Sequence, residues 1–221
     1  KLDFDLSNQA LRQIKDTVNI WPWKWRIGDN SDLAPSALSI RLKMELELLL
    51  KNNYWKNALK NLKEWGGLKI VDSKLQNDPR LIEKILTAKN SHIEPLTALV
   101  YESKDPISLA KRLHLTQKQK EIIKGACKLK KYLESIIANK LYENWSPSKW
   151  TNILEELNVN ESSFILEICR ENPLKEYLSS WLYKWKDIES PIKGDDLIAK
   201  GWSPGPEIGI EIKRQRMKLI D

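Results

Sequence analysis

Prolines constrain this chain more than any other feature. Asp78-Pro79, Asp105-Pro106, Ser146-Pro147 and Asn172-Pro173 each put a capping side chain before a proline, and each is followed by a run at helical spacing. Proline suits a first helical turn, where its missing N–H would find no partner anyway, and Asp, Ser or Asn before it caps that turn. Behind Ser146-Pro147, Trp150, Ile153, Leu154 and Leu157 follow a helical period. Behind Asn172-Pro173, Leu174, Tyr177, Leu178, Trp181, Leu182 and Trp185 form one apolar stripe. Thr116-x-x-Gln119 is a capping-box pattern opening a segment over 117–135. Ser36 is placed to cap a helix through Leu50, and Trp55 to Trp65 ends on Gly66-Gly67, a helix C-terminal signal. Only Leu68-Lys69-Ile70-Val71 reads as a candidate strand. The expectation is an all-α fold, an elongated array of helical hairpins with no sizeable sheet.

Composition narrows the function. The 221 residues carry 37 Lys and Arg against 30 Asp and Glu, a net charge of +7, and the 41% hydrophobic fraction suffices for a core. Cys127 and Cys169 stand alone, which excludes a disulfide scaffold and a CxxC zinc ribbon. Neither a P-loop nor a GxGxxG spacing occurs among the eight glycines. No apolar run approaches the roughly 20 residues that span a bilayer, and no signal-peptide pattern is present. Unpaired cysteines and no membrane signal predict a cytoplasmic protein without a membrane partner. The chain opens Lys1-Leu2-Asp3-Phe4 without an initiator Met and is expected to be a cut or processed piece.

Candidate chemistry is sparse. Asp3-Phe4-Asp5 has the spacing of a metal-binding carboxylate pair, but it lacks the upstream strand and Gly-Ser turn such a pair needs, so a role at a helix start is expected. Asp195-Asp196, after Gly194, reads as a helix cap. No metal site is predicted. His92 and His114 have no evident partners and read as surface or satisfied core. Lys120, Lys124, Lys128 and Lys131 share one helix face. Lys184, Lys186, Lys193, Lys200, Lys213, Arg214, Arg216 and Lys218 gather in the last quarter, with Trp185 and Trp202 nearby, a pattern that fits phosphate tracking with stacking partners. Among the ten tryptophans, Trp150, Trp181 and Trp185 fall at helical core positions, whereas Trp21, Trp23 and Trp25 alternate in an irregular segment.

The segment Gly194-Asp195-Asp196-Leu197 … Gly201 … Pro204-Gly205-Pro206-x-Ile208-Gly209 resembles the "G-x-D-L … G … P-G-P-x-I-G" stretch near the end of bacterial tRNA nucleotidyltransferases. These are the CCA-adding enzymes and their CC-adding, A-adding and poly(A) polymerase relatives. Leu2-Asp3-Phe4-Asp5-Leu6 resembles the family's "L-G-F-x-I", with Asp3 in place of glycine. Ser39-Ile40-Arg41-Leu42-Lys43-Met44-Glu45-Leu46 is similar to "S-x-E-R-I-x-x-E-L"; Arg41 and Glu45 match, and Ile40 stands where the family has its first Glu. Tyr54 to Val71 resembles "A-L-x-x-L-x-x-x-G-L-L" through Ala58, Leu59, Leu62 and Gly66. Residues 75–185 match only in helical texture.

The resemblance implies a head, neck, body and tail enzyme of which this chain holds a neck-like region (1–72), a body-like domain (73–189) and a tail-like segment (190–221). It implies that the catalytic carboxylates, their Mg2+ and the CTP/ATP-selecting motif belong to a head upstream, so that this chain alone is inactive and binds no cofactor. Its partner would be tRNA, gripped through backbone and shape. By the resemblance Arg41 and Glu45 support the neck, and Gly194, Asp195, Gly201, Pro204, Gly205 and Pro206 form the tail motif. The candidates for touching RNA are Lys193, Lys200, Lys213, Arg214, Arg216, Lys120 and Lys124. The alternatives are a stand-alone helical RNA-binding or adaptor domain without catalytic activity, and a helical scaffold for protein partners.

Overall fold

The computed structural model describes residues 6–20, 36–156 and 174–221. Asp3-Phe4-Asp5, the Trp21–Trp25 segment, Cys169 and Asn172-Pro173 lie outside the described residues. Within them the chain is all-α and has no strand. Its helices are α1 (Asn8–Ile20), α2 (Ser36–Lys51), α3 (Trp55–Glu64), α4 (Ser73–Asn77), α5 (Leu81–Asn90), α6 (Pro95–Tyr101), α7 (Pro106–Arg112) and α8 (Gln117–Ala138). Then follow α9 (Pro147–Glu156), α10 (Lys175–Ser180) running into a π-helical turn Trp181–Trp185, α11 (Gly194–Ala199) and α12 (Pro206–Ile220). Contacts divide the chain into two units, Lys1–Cys127 and Lys128–Asp221.

The helix starts follow local capping chemistry. Asp105 accepts the Ser108 N–H at 3.1 Å, and Ser146 Oγ accepts the Lys149 N–H at 3.3 Å. Thr116 and Gln119 bond reciprocally: the Thr116 N–H donates to Oε1 at 2.8 Å and the Gln119 N–H to Oγ1 at 3.3 Å. At Asp78-Pro79 the helix begins two residues later, because Asp78 Oδ1 takes the Arg80 N–H at 2.9 Å in a turn before Leu81. The strand candidate Leu68–Val71 is corrected by the structure: Gly67–Ile70 is a 3-10 turn. Gly66, at φ 80°, ends α3 in the left-handed region, and Asp72 already caps α4. The few residues between them satisfy their backbone locally, with the Val71 N–H on the Leu68 carbonyl at 3.0 Å.

In the first unit α6 is the centre. Every residue from Leu96 to Tyr101 is buried, and α2, α5 and α7 pack around it. Leu50, Leu59, Leu75, Leu81 and Ile85 complete the core with almost no exposure. Polar ties cross it at the edge. Lys84 Nζ bridges Asp78 at 2.9 Å and the buried Glu102 at 2.8 Å, and Lys89 Nζ reaches the Leu50 carbonyl at 3.0 Å while sitting 4.9 Å from the centre of the Trp55 ring. Burial opposes the charge on Lys84, but its bonds to Glu102 and Asp78 outweigh burial and hold its pKa above the ordinary value.

The second unit is organised by tryptophan. Trp150 on α9 is fully buried, stacked on Tyr177 with ring centres 5.3 Å apart and tilted against Trp145 at 4.8 Å. Trp181 is buried too, and α9 packs against both the π-helical turn and α12. The core positions expected for Trp150 and Trp181 are thus found; Trp185 is half-buried.

Four helices share one ending. At Ala88/Ile93, Ala110/Leu115, Ile136/Leu141 and Leu197/Trp202 the N–H of the second residue donates to the carbonyl of the first at 2.9–3.2 Å. The residue in between is left-handed: His92 (φ 60°), His114 (φ 51°), Lys140 (φ 51°) and Gly201 (φ 91°). This is the Schellman closure, which glycine normally serves because it has no Cβ to strain. His92 and His114 therefore close helices at exposed positions.

Candidate nucleic-acid interface

The tail segment folds as two helices, Gly194–Ala199 and Pro206–Ile220, joined by a corner with Pro206 in the first turn of the second. Asp196, not Asp195, closes the start of α11: its Oδ2 accepts the Lys193 N–H at 2.9 Å. Asp195 is exposed in the same first turn, where a carboxylate favours the helix dipole. Gly194 is half-exposed, and a Cβ there would lie 3.6 Å from Ile208 of α12, an ordinary contact. Gly201 turns the chain through its positive φ, Pro204 is exposed, and Pro206 occupies the first turn of α12. Gly205 is fully extended, and a Cβ there would meet nothing within 4 Å. Beside this corner Trp202 is 39% exposed and Ile198 is 45% exposed. Lys193 and Lys200, at the two ends of α11, are exposed as well.

The basic residues of α12 divide by what they hold. Arg216 is turned inward. Its Nε donates to the Ile188 carbonyl at 2.6 Å, Nη2 to the Lys186 carbonyl at 3.0 Å, and Nη1 to Glu155 of α9 at 2.7 Å. The planar fork suits several acceptors at once, so Arg216 ties the end of the π-helical turn to α9 and α12. It also lines a cavity of about 650 Å³ with Leu154, Trp181, Ile188 and Ile212. Arg214 makes a two-pronged bond to Glu211, 2.7 Å on each side, which with Gln215 draws the Glu211 carboxyl down to about 2. Lys213 and Lys218 are exposed.

The remaining candidates lie elsewhere. Arg41 and Glu45 pair with each other across one turn of α2 at 2.6 Å, and both are exposed. On α8, Lys124, Lys128 and Lys131 are exposed and Lys120 is half-exposed. Among the described residues no cluster of His, Cys, Asp and Glu could hold a metal ion, and no helix is long and apolar enough to cross a membrane. Two features escape sequence reading. The inward role of Arg216 depends on partners 28 to 61 residues away, and Asp221 caps α9 across 73 residues. No local pattern announces either. Compared with protein families, curated proteins and solved structures, the chain matches none.

Proposed function

We propose that this chain is the tRNA-gripping neck, body and tail portion of a tRNA nucleotidyltransferase of the CCA-adding enzyme and poly(A) polymerase kind. The single observation that carries the reading is the tail corner. Gly205 has no local steric reason to be glycine, while Trp202, Lys193 and Lys200 stand exposed on the same segment. A bare backbone, an exposed indole and ammonium groups suit close approach to a phosphodiester chain with a base to stack on. In the whole enzyme a tRNA 3′-hydroxyl would attack the α-phosphorus of CTP or ATP and pyrophosphate would leave. That step, and the Mg2+ it uses, belong to the head, so this portion supplies grip. Lys213 and Lys218 extend the basic surface along α12, and Arg41 and Glu45 stiffen α2 as its supporting pair.

The test is tRNA binding by the purified chain across a salt series, with an unstructured RNA of equal length as competitor. Binding that prefers folded tRNA and weakens steeply with salt is expected, because displaced counterions make phosphate contacts salt-sensitive. No binding at low salt would sink the reading. The second reading, an adaptor domain, is favoured by Ile40, Met44 and Leu48, which leave an apolar row exposed along α2. It predicts a protein partner whose affinity salt scarcely changes.

A further inference from the structure

The helix α8 carries a feature that the tail reading does not use. Its 22 residues include six lysines and two glutamates, more lysines than any other described helix carries. At about 100° per residue, Lys120, Lys124, Lys128 and Lys131 fall within an arc of about 80°. The arc lies opposite the buried Ile123, Ala126, Leu129, Leu133 and Ile136. Neither glutamate interrupts it. Glu121 is held by Gln117 Nε2 at 2.9 Å, and Glu134 lies on the other flank, 3.9 Å from Lys130. None of the four lysines makes an ion pair among the described residues. At about 1.5 Å of rise per residue, the stretch from Lys120 to Lys131 spans about 16 Å of helix, long enough to meet several successive phosphates.

We infer that this lysine row is a phosphate rail: a sequence-independent contact for one strand of RNA, separate from the tail corner. In its choice of partner the inference rests on the RNA-binding reading above. The rest of the arc is Gln117, Ser135 and Ala138, with no aromatic or large aliphatic side chain. A protein interface would want such anchors. A membrane-surface helix would need its apolar face unburied, and that of α8 is inside the protein. Evenly spaced ammonium groups on long stems, without apolar company, fit a linear polyanion.

The experiment compares salt slopes of RNA affinity for the whole chain and four variants, on folded tRNA and on unstructured RNA of equal length. In the rail variant Lys120, Lys124, Lys128 and Lys131 become Gln; in the tail variant Lys193, Lys200 and Lys213 become Ala. A charge control changes the exposed Lys51, Lys56, Lys60 and Lys69 to Gln. The rail variant is expected to flatten the slope of log affinity against log salt by about 3, close to 0.7–0.9 per lost phosphate contact, equally on both RNAs. The charge control should leave it nearly unchanged. Equal flattening by rail and control variants would overturn the rail, since net charge would then explain both. An unchanged slope in the rail variant with loss in the tail variant would overturn the rail and leave the tail reading standing. Loss in the rail variant alone would keep the rail and remove the tail. Absence of RNA binding by the unaltered chain at low salt would overturn both. A Lys→Arg version of the rail, which keeps charge and helix, must retain the slope, so a misfolded Gln variant cannot pass as support.

Discussion

Asp221 accepts two hydrogen bonds from Ser148, one from its backbone N–H and one from its hydroxyl, each 2.8 Å long, and so caps the first turn of α9. Those bonds, the backbone one foremost, hold the Asp221 carboxyl below its ordinary value of 3.8. A side chain in this role is worth about 0.5–1 kcal/mol at an exposed site. Asp221→Ala should lower stability against urea by that amount. Asp221→Asn, which keeps an oxygen acceptor, should cost less. Because the folded pKa is depressed, the contribution is fully present above 3.8 and fades as pH falls through the folded value. Urea midpoints at neutral pH and near pH 3 measure this; equal losses from Asp221→Ala at both would contradict it.

Arg216 gives a larger effect for a different reason. Truncation would strand Glu155 and leave the Ile188 and Lys186 carbonyls without their donor. With the two side chains only 19% and 33% exposed, Arg216→Ala should destabilise by about 2–3 kcal/mol, below the range for a fully buried pair. Arg216→Lys should recover little, since an ammonium cannot reach three acceptors in a plane. Under the proposed RNA role, the affinity of the folded variant for RNA should match that of the unaltered chain, whereas Lys213→Ala should weaken RNA binding without a stability loss. Calorimetry paired with binding separates the two.

The triad Lys84, Asp78 and Glu102 gives a pH prediction at both ends of the scale. Burial pushes the Asp78 carboxyl up, but Lys84 and the Arg80 N–H more than offset it, and its pKa falls below the ordinary value. Stability from Asp78 is therefore present above pH 3.8 and is lost as pH falls through the folded value. For Lys84, raised above 10.5, the contribution is full below that value and is lost as pH rises through the folded one. Lys84→Met should cost about 2 kcal/mol, mainly by leaving the buried Glu102 carboxylate without its partner. A urea series from pH 3 to pH 11 should show the unaltered chain losing its advantage over Lys84→Met at both extremes.

Helix beginnings were legible because their chemistry is local: Asp105, Ser146 and Thr116 satisfy N–H groups three residues on. Helix ends were legible only where glycine marks them, at Gly66 and Gly201. At His92, His114 and Lys140 the same closure uses side chains that ordinarily avoid the left-handed region, so the sequence carries no sign of it. In the tail, Asp195-Asp196 after Gly194 foretold a capped helix start, and Asp196 supplies it. The division of its basic residues did not follow from charge, because Arg216 and Lys213 look alike in sequence and differ only in what the fold brings to them.

Those strained closures predict gains. His92→Gly, His114→Gly and Lys140→Gly should each stabilise the protein by about 0.5–1 kcal/mol: the penalty of an L-residue at positive φ is removed, and glycine's greater unfolded-state entropy offsets part of the gain. The sites are far apart in sequence and share no hydrogen bond, so the gains should add. His92→Val, β-branched at the same φ of 60°, should instead destabilise. Thermal midpoints of the three single variants and the triple variant decide the matter; a loss at any glycine variant would mean that the side chain there does more than close a helix.

The two tail glycines separate folding from binding. Gly201 sits at φ 91°, so Gly201→Ala should cost about 1 kcal/mol and loosen the bond from the Trp202 N–H to the Leu197 carbonyl. Gly205 is extended and open, so Gly205→Ala should leave stability within about 0.5 kcal/mol, as at other unstrained surface positions. Under the proposed RNA role the absence of a side chain at Gly205 matters to the partner, since a methyl group would hold a phosphate or base away from the backbone. Gly205→Ala should then weaken tRNA binding while the melting curve stays put, and Gly205→Val should weaken it further. If both variants bind tRNA like the unaltered chain, the corner does not touch RNA, and the grip must come from surfaces elsewhere, α8 first among them.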